Sequence, residues 1–284
     1  MPDPTKLLAT IRKATALTGS TPGRDGNVVE LRDATDVIVA GDLHGDLRSF
    51  KGVLDRAELA RTPGRHLVLQ ELVHDIPADP EMGKPDLSHR LVDVVCALKC
   101  QYPDRVHVIL GNHELSELTR RPIAKKGIPL NEGFFAGLKL TYGDGAEAIY
   151  AAYMDHFAAL PLAVRTPNRI FLVHTLPEAR DLEDFDLAVL KAKGWTDEQS
   201  RRGGPVYAMT WGRDNSLETA ERFAAMVDAD FFICGHQPCD QGFLPANPRL
   251  LIIDGTAPHP ASCLFRADRP VTYEDLVQGV RLVF

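Results

Sequence analysis

Apolar residues along the chain follow two rhythms. Short unbroken runs, DVIVAG (36–41), HLVLQE (66–71), RVHVIL (105–110), RIFLVH (169–174), DFFICG (230–235) and RLLIID (249–254), are rich in Val, Ile and Phe and bounded by polar residues. Such runs predict strands buried on both faces. Between them apolar residues recur at helical spacing. Leu91, Val94, Val95 and Leu98 follow Ser88 as a cap, and Leu217, Ala220, Ala224 and Val227 follow Asn215, with Glu218 three residues on as in a capping box. Residues 46–59 and 145–159 are predicted helical too, with Asp42 or Asp46 placed to cap the first. Strand–helix alternation of this kind predicts a largely parallel α/β core. An N-terminal helix and a Gly/Ser/Pro-rich connection, TGSTPGRDGNVV (18–29), precede it. The expected organisation is therefore residues 1–30 as helix and connection, then 31–284 as a single domain.

The polar residues of most interest stand where the strands end. DVIVAG runs into Asp42 and His44, RVHVILG into Asn112 and His113, RIFLV into His174 and DFFICG into His236. LVLQELVHD (67–75) breaks off most abruptly, placing Gln70, Glu71, His74 and Asp75 within six positions. In open α/β sheets ligands collect just beyond the carboxyl ends of strands. One Asp after a strand is ordinarily a helix cap and one His an ordinary core residue, but five strand ends in succession do not share that explanation. Nitrogen and oxygen donors suit a hard or borderline divalent ion such as Mn²⁺, Fe²⁺ or Zn²⁺. Without a thiolate they do not suggest a structural zinc site, and Cys234 and Cys239, around Gly235-His236, are the minor alternative. His66, His89, His107, His156 and His259 read as ordinary core or surface histidines.

Composition narrows the function classes. With 44% hydrophobic and 25% charged residues over 284 positions, the chain is ordinary for a globular protein able to bury a large core. A formal charge of −7, from 32 basic and 39 acidic residues, argues against a surface that coats nucleic acid. No apolar run approaches the roughly 20 residues of a membrane span. Five cysteines with no CxxC pair read as reduced thiols, and the expected location is cytoplasmic.

Taken together, GDLHGD (41–46), GNHE (111–114), a strand-terminal His174 and GHQ (235–237) resemble the calcineurin-like metallophosphoesterases. The serine/threonine phosphoprotein phosphatase branch is the closer likeness. YMDHFAALPLAV before IFLVH resembles that branch's approach to its penultimate histidine. AERFAAMVDADFFICGHQPCDQGF resembles its final-histidine segment, and RLLIIDGTAP its closing strand. The likeness covers roughly residues 36–266. It implies an α/β/β/α sandwich with two mixed central sheets. The second motif departs from the family, which has Gly-Asp and, after two or three residues, Asp-Arg-Gly. Here Glu71 falls where the metal-bridging Asp belongs, Gln70 replaces the Gly, and His74-Asp75 replaces Asp-Arg. Glu71 keeps the carboxylate but is longer by one methylene, about 1.5 Å. Two phosphate-gripping arginines are also replaced, by Asp75 and Leu110; Arg213 in WGRD is the preferred substitute, with Arg120 and Arg121 as others.

What the resemblance implies is a phosphatase with two divalent ions, Mn²⁺ expected and Fe²⁺ or Zn²⁺ as alternatives. Asp42, His44 and Glu71 hold one ion, and Glu71, Asn112, His174 and His236 the other. A metal-bridging hydroxide attacks a phosphate monoester of a protein or small molecule, and phosphoserine and phosphothreonine are candidate substrates. His113 protonates the leaving group. In the relatives an acid orients this histidine from the place His74 occupies here, and Asp75 is the expected substitute. Two other readings stay open: a dinucleoside polyphosphate or phosphodiester hydrolase with the same ligands, and a non-catalytic descendant that binds metal or phosphorylated partners.

Overall fold

Each of the six apolar runs forms a strand in the computed structural model, which describes residues 3–75, 85–125, 127–256 and 258–284. In chain order the strands are β1 (Arg24–Asp25), β2 (Val28–Glu30), β3 (Asp36–Asp42), β4 (Arg65–Gln70), β5 (Val106–Ile109), β6 (Ala124–Lys125), β7 (Ile128–Pro129), β8 (Ala163–Arg165), β9 (Ile170–Val173), β10 (Phe231–Cys234), β11 (Phe243–Asn247), β12 (Leu250–Ile253), β13 (Ala261–Arg266) and β14 (Val280–Leu282). The helices are α1 (Pro4–Gly19), α2 (Leu47–Ala57), α3 (His89–Gln101), α4 (Asn112–Thr119), α5 (Leu130–Tyr142), α6 (Ala146–Ala158), α7 (Ala188–Lys191), α8 (Pro205–Trp211), α9 (Leu217–Val227) and α10 (Tyr273–Gln278). Met1 and Pro2 of the N-terminal stretch and Ala257 of the closing segment lie outside the described residues.

One sheet has the order β1-β2-β8-β9-β10-β12-β11 and the other β14-β13-β3-β4-β5, with β6 and β7 a separate hairpin. The centres are parallel, β3 with β4, β4 with β5, β9 with β10 and β10 with β12. Antiparallel partners flank them, β13 on β3, β8 on β9 and β11 on β12. Parallel pairing therefore runs through β3-β4-β5, β9-β10-β12 and β2-β8, while each sheet as a whole is mixed. The flanking strands are short or partly exposed, so they carry no long apolar run to read.

Side-chain alternation along the strands builds the layers. Val37, Val39, Val68, Ile170, Leu172, Ile233, Leu251 and Ile253 form one buried cluster between the sheets. Their alternates, Ile38, Ala40, Leu67, Leu69, Phe171, Val173, Phe232 and Ile252, join a second cluster with helical residues such as Ile11, Phe50, Val95, Phe134 and Phe223. The result is the helix–sheet–sheet–helix sandwich expected. In α1, Ile11 and Ala14 are buried, and the 18–29 connection contributes β1 and β2 to the larger sheet.

Two helix caps differ from expectation. Asp46 caps α2 through the N–H groups of Arg48 and Ser49, as foreseen. The cap of α9 is Ser216, accepting from Thr219 N–H, because the Asn215 amide is paired with the Gln237 amide. Ser88 makes no cap bond to α3; its Oγ accepts instead from the His74 N–H. All five cysteines are free thiols. Among the described residues no helix is long and apolar enough to cross a membrane.

Gly137 marks a close approach. A Cβ there would stand 1.7 Å from the backbone oxygen of Asp86, which holds α5 against the entry to α3. Gly137→Ala is expected to lower unfolding stability by about 1–3 kcal/mol, read as a reduced urea midpoint at unchanged m-value.

Candidate metal centre

The strand ends converge where the two sheets meet, and a single bridge joins Asp42, the last residue of β3, to Asp254 just after β12. Four residues leaving these strands turn through the left-handed region: His44 (φ 43°), Glu71 (φ 48°), His74 (φ 66°) and His236 (φ 69°). A non-glycine residue pays about 1–2 kcal/mol there, and such outliers gather where the surrounding structure must over-determine a side-chain position.

Glu71 lies at the middle of the convergence. Its Oε1 accepts from the His113 N–H at 2.9 Å, while Oε2 stands 3.7 Å from His44 Nε2 and 3.4 Å from His174 Nε2. The remote nitrogens of both rings are engaged elsewhere. His44 Nδ1–H donates to the Val73 carbonyl at 3.0 Å, and His174 Nδ1–H donates to Gln70 Oε1 at 2.9 Å. In that tautomer each neutral ring presents an Nε2 lone pair inward, the arrangement that outer partners give metal-binding imidazoles; at His174 the other tautomer would instead donate Nε2–H to Asn112 Oδ1. Asn112 Oδ1 completes the second side, 3.0 Å from His174 Nε2 and 2.8 Å from His236 Nδ1. Asp42 Oδ2 accepts from the His236 N–H at 2.8 Å.

The residues present fit a pair of cations on three counts. Asp42 Oδ1, His236 Nε2 and Glu114 Oε2 are buried without a hydrogen-bond partner, a costly state for polar atoms unless a ligand satisfies them. Donor atoms from His44, Glu71 and His113 lie within 4.8 Å of one another, as do those from Glu71, His174 and His236, so Glu71 belongs to both groups. The donors are nitrogen and oxygen throughout. Cys234 and Cys239 belong to neither group, and burial raises both thiols, Cys239 to about 12.

Electrostatics follow from burial. Desolvation, with Asp42 and Glu114 adding like charge, pushes Glu71 well above the usual carboxylate range. Burial likewise raises Asp42 to about 7. The same burial lowers His44 to about 4 and His236 to about 3, and holds His113 and His174 well below an ordinary histidine. Crowded acids beside neutral imidazoles are a set that divalent charge would reconcile.

The sequence-predicted residues mostly meet here. Asp42, His44, Glu71, Asn112, His113, His236, Asp75 and Arg213 all line one open cleft of about 970 Å³, and His174 lies buried beneath it. The orienting position expected of Asp75 is filled otherwise. The ring hydrogen-bonded to His113 is His74, at 2.9 Å, while the Asp75 N–H donates to Asp86 Oδ1. Arg121 stacks over Tyr207 at 4.8 Å, and Arg120 is exposed in the left-handed C-cap of α4. Ordinary roles hold for His66 and His107, which stack and hydrogen-bond with each other, and for His156, buried beside Thr15, whereas His89 is buried against Tyr142 with neither ring nitrogen hydrogen-bonded.

Several contributors escape sequence reasoning. Gln70, which replaces the family's glycine, is buried and braces both His174 and the Ala40 carbonyl. Glu114 Oε1 accepts from the Leu72 and Val73 N–H groups and so holds the turn after β4. Lys125, on the β6–β7 hairpin, brings a cation to the wall of the cleft that Trp211 and Arg213 also line. That hairpin belongs to the 121–135 connection, of which Lys126 lies outside the described residues.

Comparison with known proteins agrees with this geometry. Residues 35–240 match the family model described as calcineurin-like phosphoesterase. A probable serine/threonine-protein phosphatase of Encephalitozoon cuniculi is 24% identical over 241 residues, 76% of this chain and 46% of the relative. The chain thus spans about half the length of that curated relative. Among solved structures, a protein serine/threonine phosphatase of Saccharomyces cerevisiae superposes with a TM-score of 0.72 at 15% identity, covering 99% of this chain and 89% of the other. A cold-active protein-tyrosine phosphatase of a psychrophilic Shewanella species gives 0.57 at 12% identity, covering 90% and 82%. At these identities the structural likeness concerns the fold.

Proposed function

The chain belongs to the calcineurin-like phosphoesterase family, and from that premise we propose that it is a metal-dependent phosphomonoesterase, with phosphoserine and phosphothreonine in proteins as its candidate substrates. The observation that carries this reading is that Glu71 belongs to both donor groups, with its Oε2 3.7 Å from His44 Nε2 of one and 3.4 Å from His174 Nε2 of the other. Asp42, His44 and Glu71 would hold one divalent ion, and Glu71, Asn112, His174 and His236 the other, with Mn²⁺ the expected metal. Bound there, two such ions supply Lewis-acid activation of water and neutralise charge on the phosphoryl oxygens.

The chain's own residues do the rest. Gln70 and the Val73 carbonyl fix the orientation of His174 and His44, so the ligand lone pairs need no rearrangement on loading. Arg213 and Lys125 supply positive charge at the cleft wall where phosphate oxygens would lie. His113, at the first turn of α4 with its N–H on Glu71, is placed to give a proton to the leaving-group oxygen. The open cleft favours an ester on a larger molecule over an enclosed small substrate.

Hydrolysis of an aryl phosphate is expected to disappear on chelation and to return with Mn²⁺. Rates on a phosphopeptide, a diadenosine polyphosphate and a bis-aryl phosphodiester then separate the substrate classes, and the phosphopeptide is expected to be fastest. Protein that carries two equivalents of Mn²⁺ yet turns over none of them would be a binding descendant instead.

A further inference from the structure

His113 does not stand alone behind the cleft. Its Nδ1 is 2.9 Å from His74 Nδ1, and His74 Nε2 is 2.8 Å from Glu117 Oε1. Glu117 lies one turn after His113 on α4, so the His74 ring is clamped between two residues of the same helix. The clamp is buried, with His74 at 0% and Glu117 at 2% exposure. From outside, Glu117 also receives the Asn131 amide N–H at 2.8 Å and the Tyr150 hydroxyl at 2.7 Å. Further contacts hold His74 itself: its N–H donates to Ser88 Oγ, and its ring meets Phe134 edge-on.

The donor inventory orders the protons along this chain. Asn131 N–H and Tyr150 O–H are both directed at Glu117, which accepts as a carboxylate. His74 must then present Nε2–H to Glu117, which leaves Nδ1 of a neutral His74 as an acceptor. The His113 Nδ1 facing it must carry its proton, so Nε2 of His113 is the nitrogen free to work in the cleft. We infer that His74 and Glu117 are positioning residues for His113, a relay in which a buried carboxylate acts through an intervening imidazole. The inference rests on the reading of His113 as the proton donor.

The relay has a chemical consequence. As the phosphorus–oxygen bond breaks, a proton taken up from solvent at His113 Nε2, against the burial that disfavours charge on this ring, passes to the departing alkoxide, giving the alcohol and a neutral His113. Its Nδ1–H stays on His74, and the Glu117 charge compensates the imidazolium before the transfer. Help of this kind matters most when the leaving group is a poor one, as in an alkyl phosphate, and least when it leaves readily, as in p-nitrophenyl phosphate. A merely structural role for Glu117 would not distinguish the two.

The test is Glu117→Gln in the metal-loaded full chain. It is expected to lower kcat on an alkyl phosphate by about 10–100-fold more than on p-nitrophenyl phosphate, with KM and bound metal kept. Equal slowing of both esters overturns the relay while leaving the phosphatase reading intact; a wild-type chain that hydrolyses neither ester sinks that reading instead. His74→Asp added to Glu117→Gln places a carboxylate directly beside His113 and is expected to recover part of the alkyl-phosphate rate. Should the glutamine variant not fold, ring-nitrogen NMR of ¹⁵N-histidine-labelled wild type decides. Protons on His113 Nδ1 and His74 Nε2 support the relay, and the opposite tautomers refute it.

Discussion

Glu71→Ala is expected to reduce bound metal from two equivalents to one or none and to lower turnover of an aryl phosphate by roughly 10³-fold or more. Glu71 is the one residue common to both donor groups, so its removal takes an oxygen from each at once. Among the described residues no other is shared by the two groups; Asp42 and Glu114 belong to neither, and each has one oxygen tied, Oδ2 by the His236 N–H and Oε1 by the turn after β4. Elemental analysis beside the wild type reads the metal, and the same samples read the rate. Misfolding is separable from ligand loss, because Glu71 is buried among Asp42 and Glu114 and its carboxylate is crowded by like charge in metal-free protein. Without metal, the alanine variant is therefore expected to unfold no earlier than wild type. A variant that keeps two equivalents would remove the bridging role. Glu71→Asp shortens the side chain by about 1.5 Å and is expected to restore binding only in part, since the Cα is set by a left-handed turn suited to the longer acid.

That turn shows where sequence legibility ends. The central strands could be read because Val37 to Ala40, Leu67 to Leu69 and Phe232 to Cys234 are buried on both faces, and burial on both faces demands unbroken apolar runs. Asp42, Asn112, His174 and His236 were legible for the same reason: each follows such a run, and strand ends are where ligands gather. β11 is different, with a Pro and half-exposed residues, and β14 is largely exposed. Edge positions like these are specified by pairing more than by periodicity.

The arrangement within the site was less legible than its membership. His74 follows Glu71 by three residues, and nothing in that spacing says which of His74 and Asp75 turns inward; the left-handed backbone at His74 decides it. Glu117 looks in sequence like a polar residue on an exposed helix face. It is buried only because Asn131, Tyr150 and His74 arrive from three other segments. Ser216 takes the cap of α9 from Asn215 for a similar reason, a side-chain partner in Gln237 about twenty positions away. Tertiary partners of this kind leave no local pattern to count.

The second large effect is expected at His113. His113→Ala should lower kcat by about 10²–10⁴-fold with little change in KM and with both equivalents of metal retained. A fall in kcat at constant KM marks an interaction made only in the transition state. Metal content is the decisive control, because a His113 donor atom lies within 4.8 Å of those of His44 and Glu71, which permits a ligand role as well. Alanine preserves the His113 N–H bond to Glu71 Oε1, so that carboxylate stays in place while the ring alone is lost. Metal lost together with activity would make His113 a ligand and leave the leaving group unassisted by this residue. Metal retained with activity lost, in protein whose wild type turns over, rules out the binding-only descendant, because a site that merely binds has no rate for the imidazole to support.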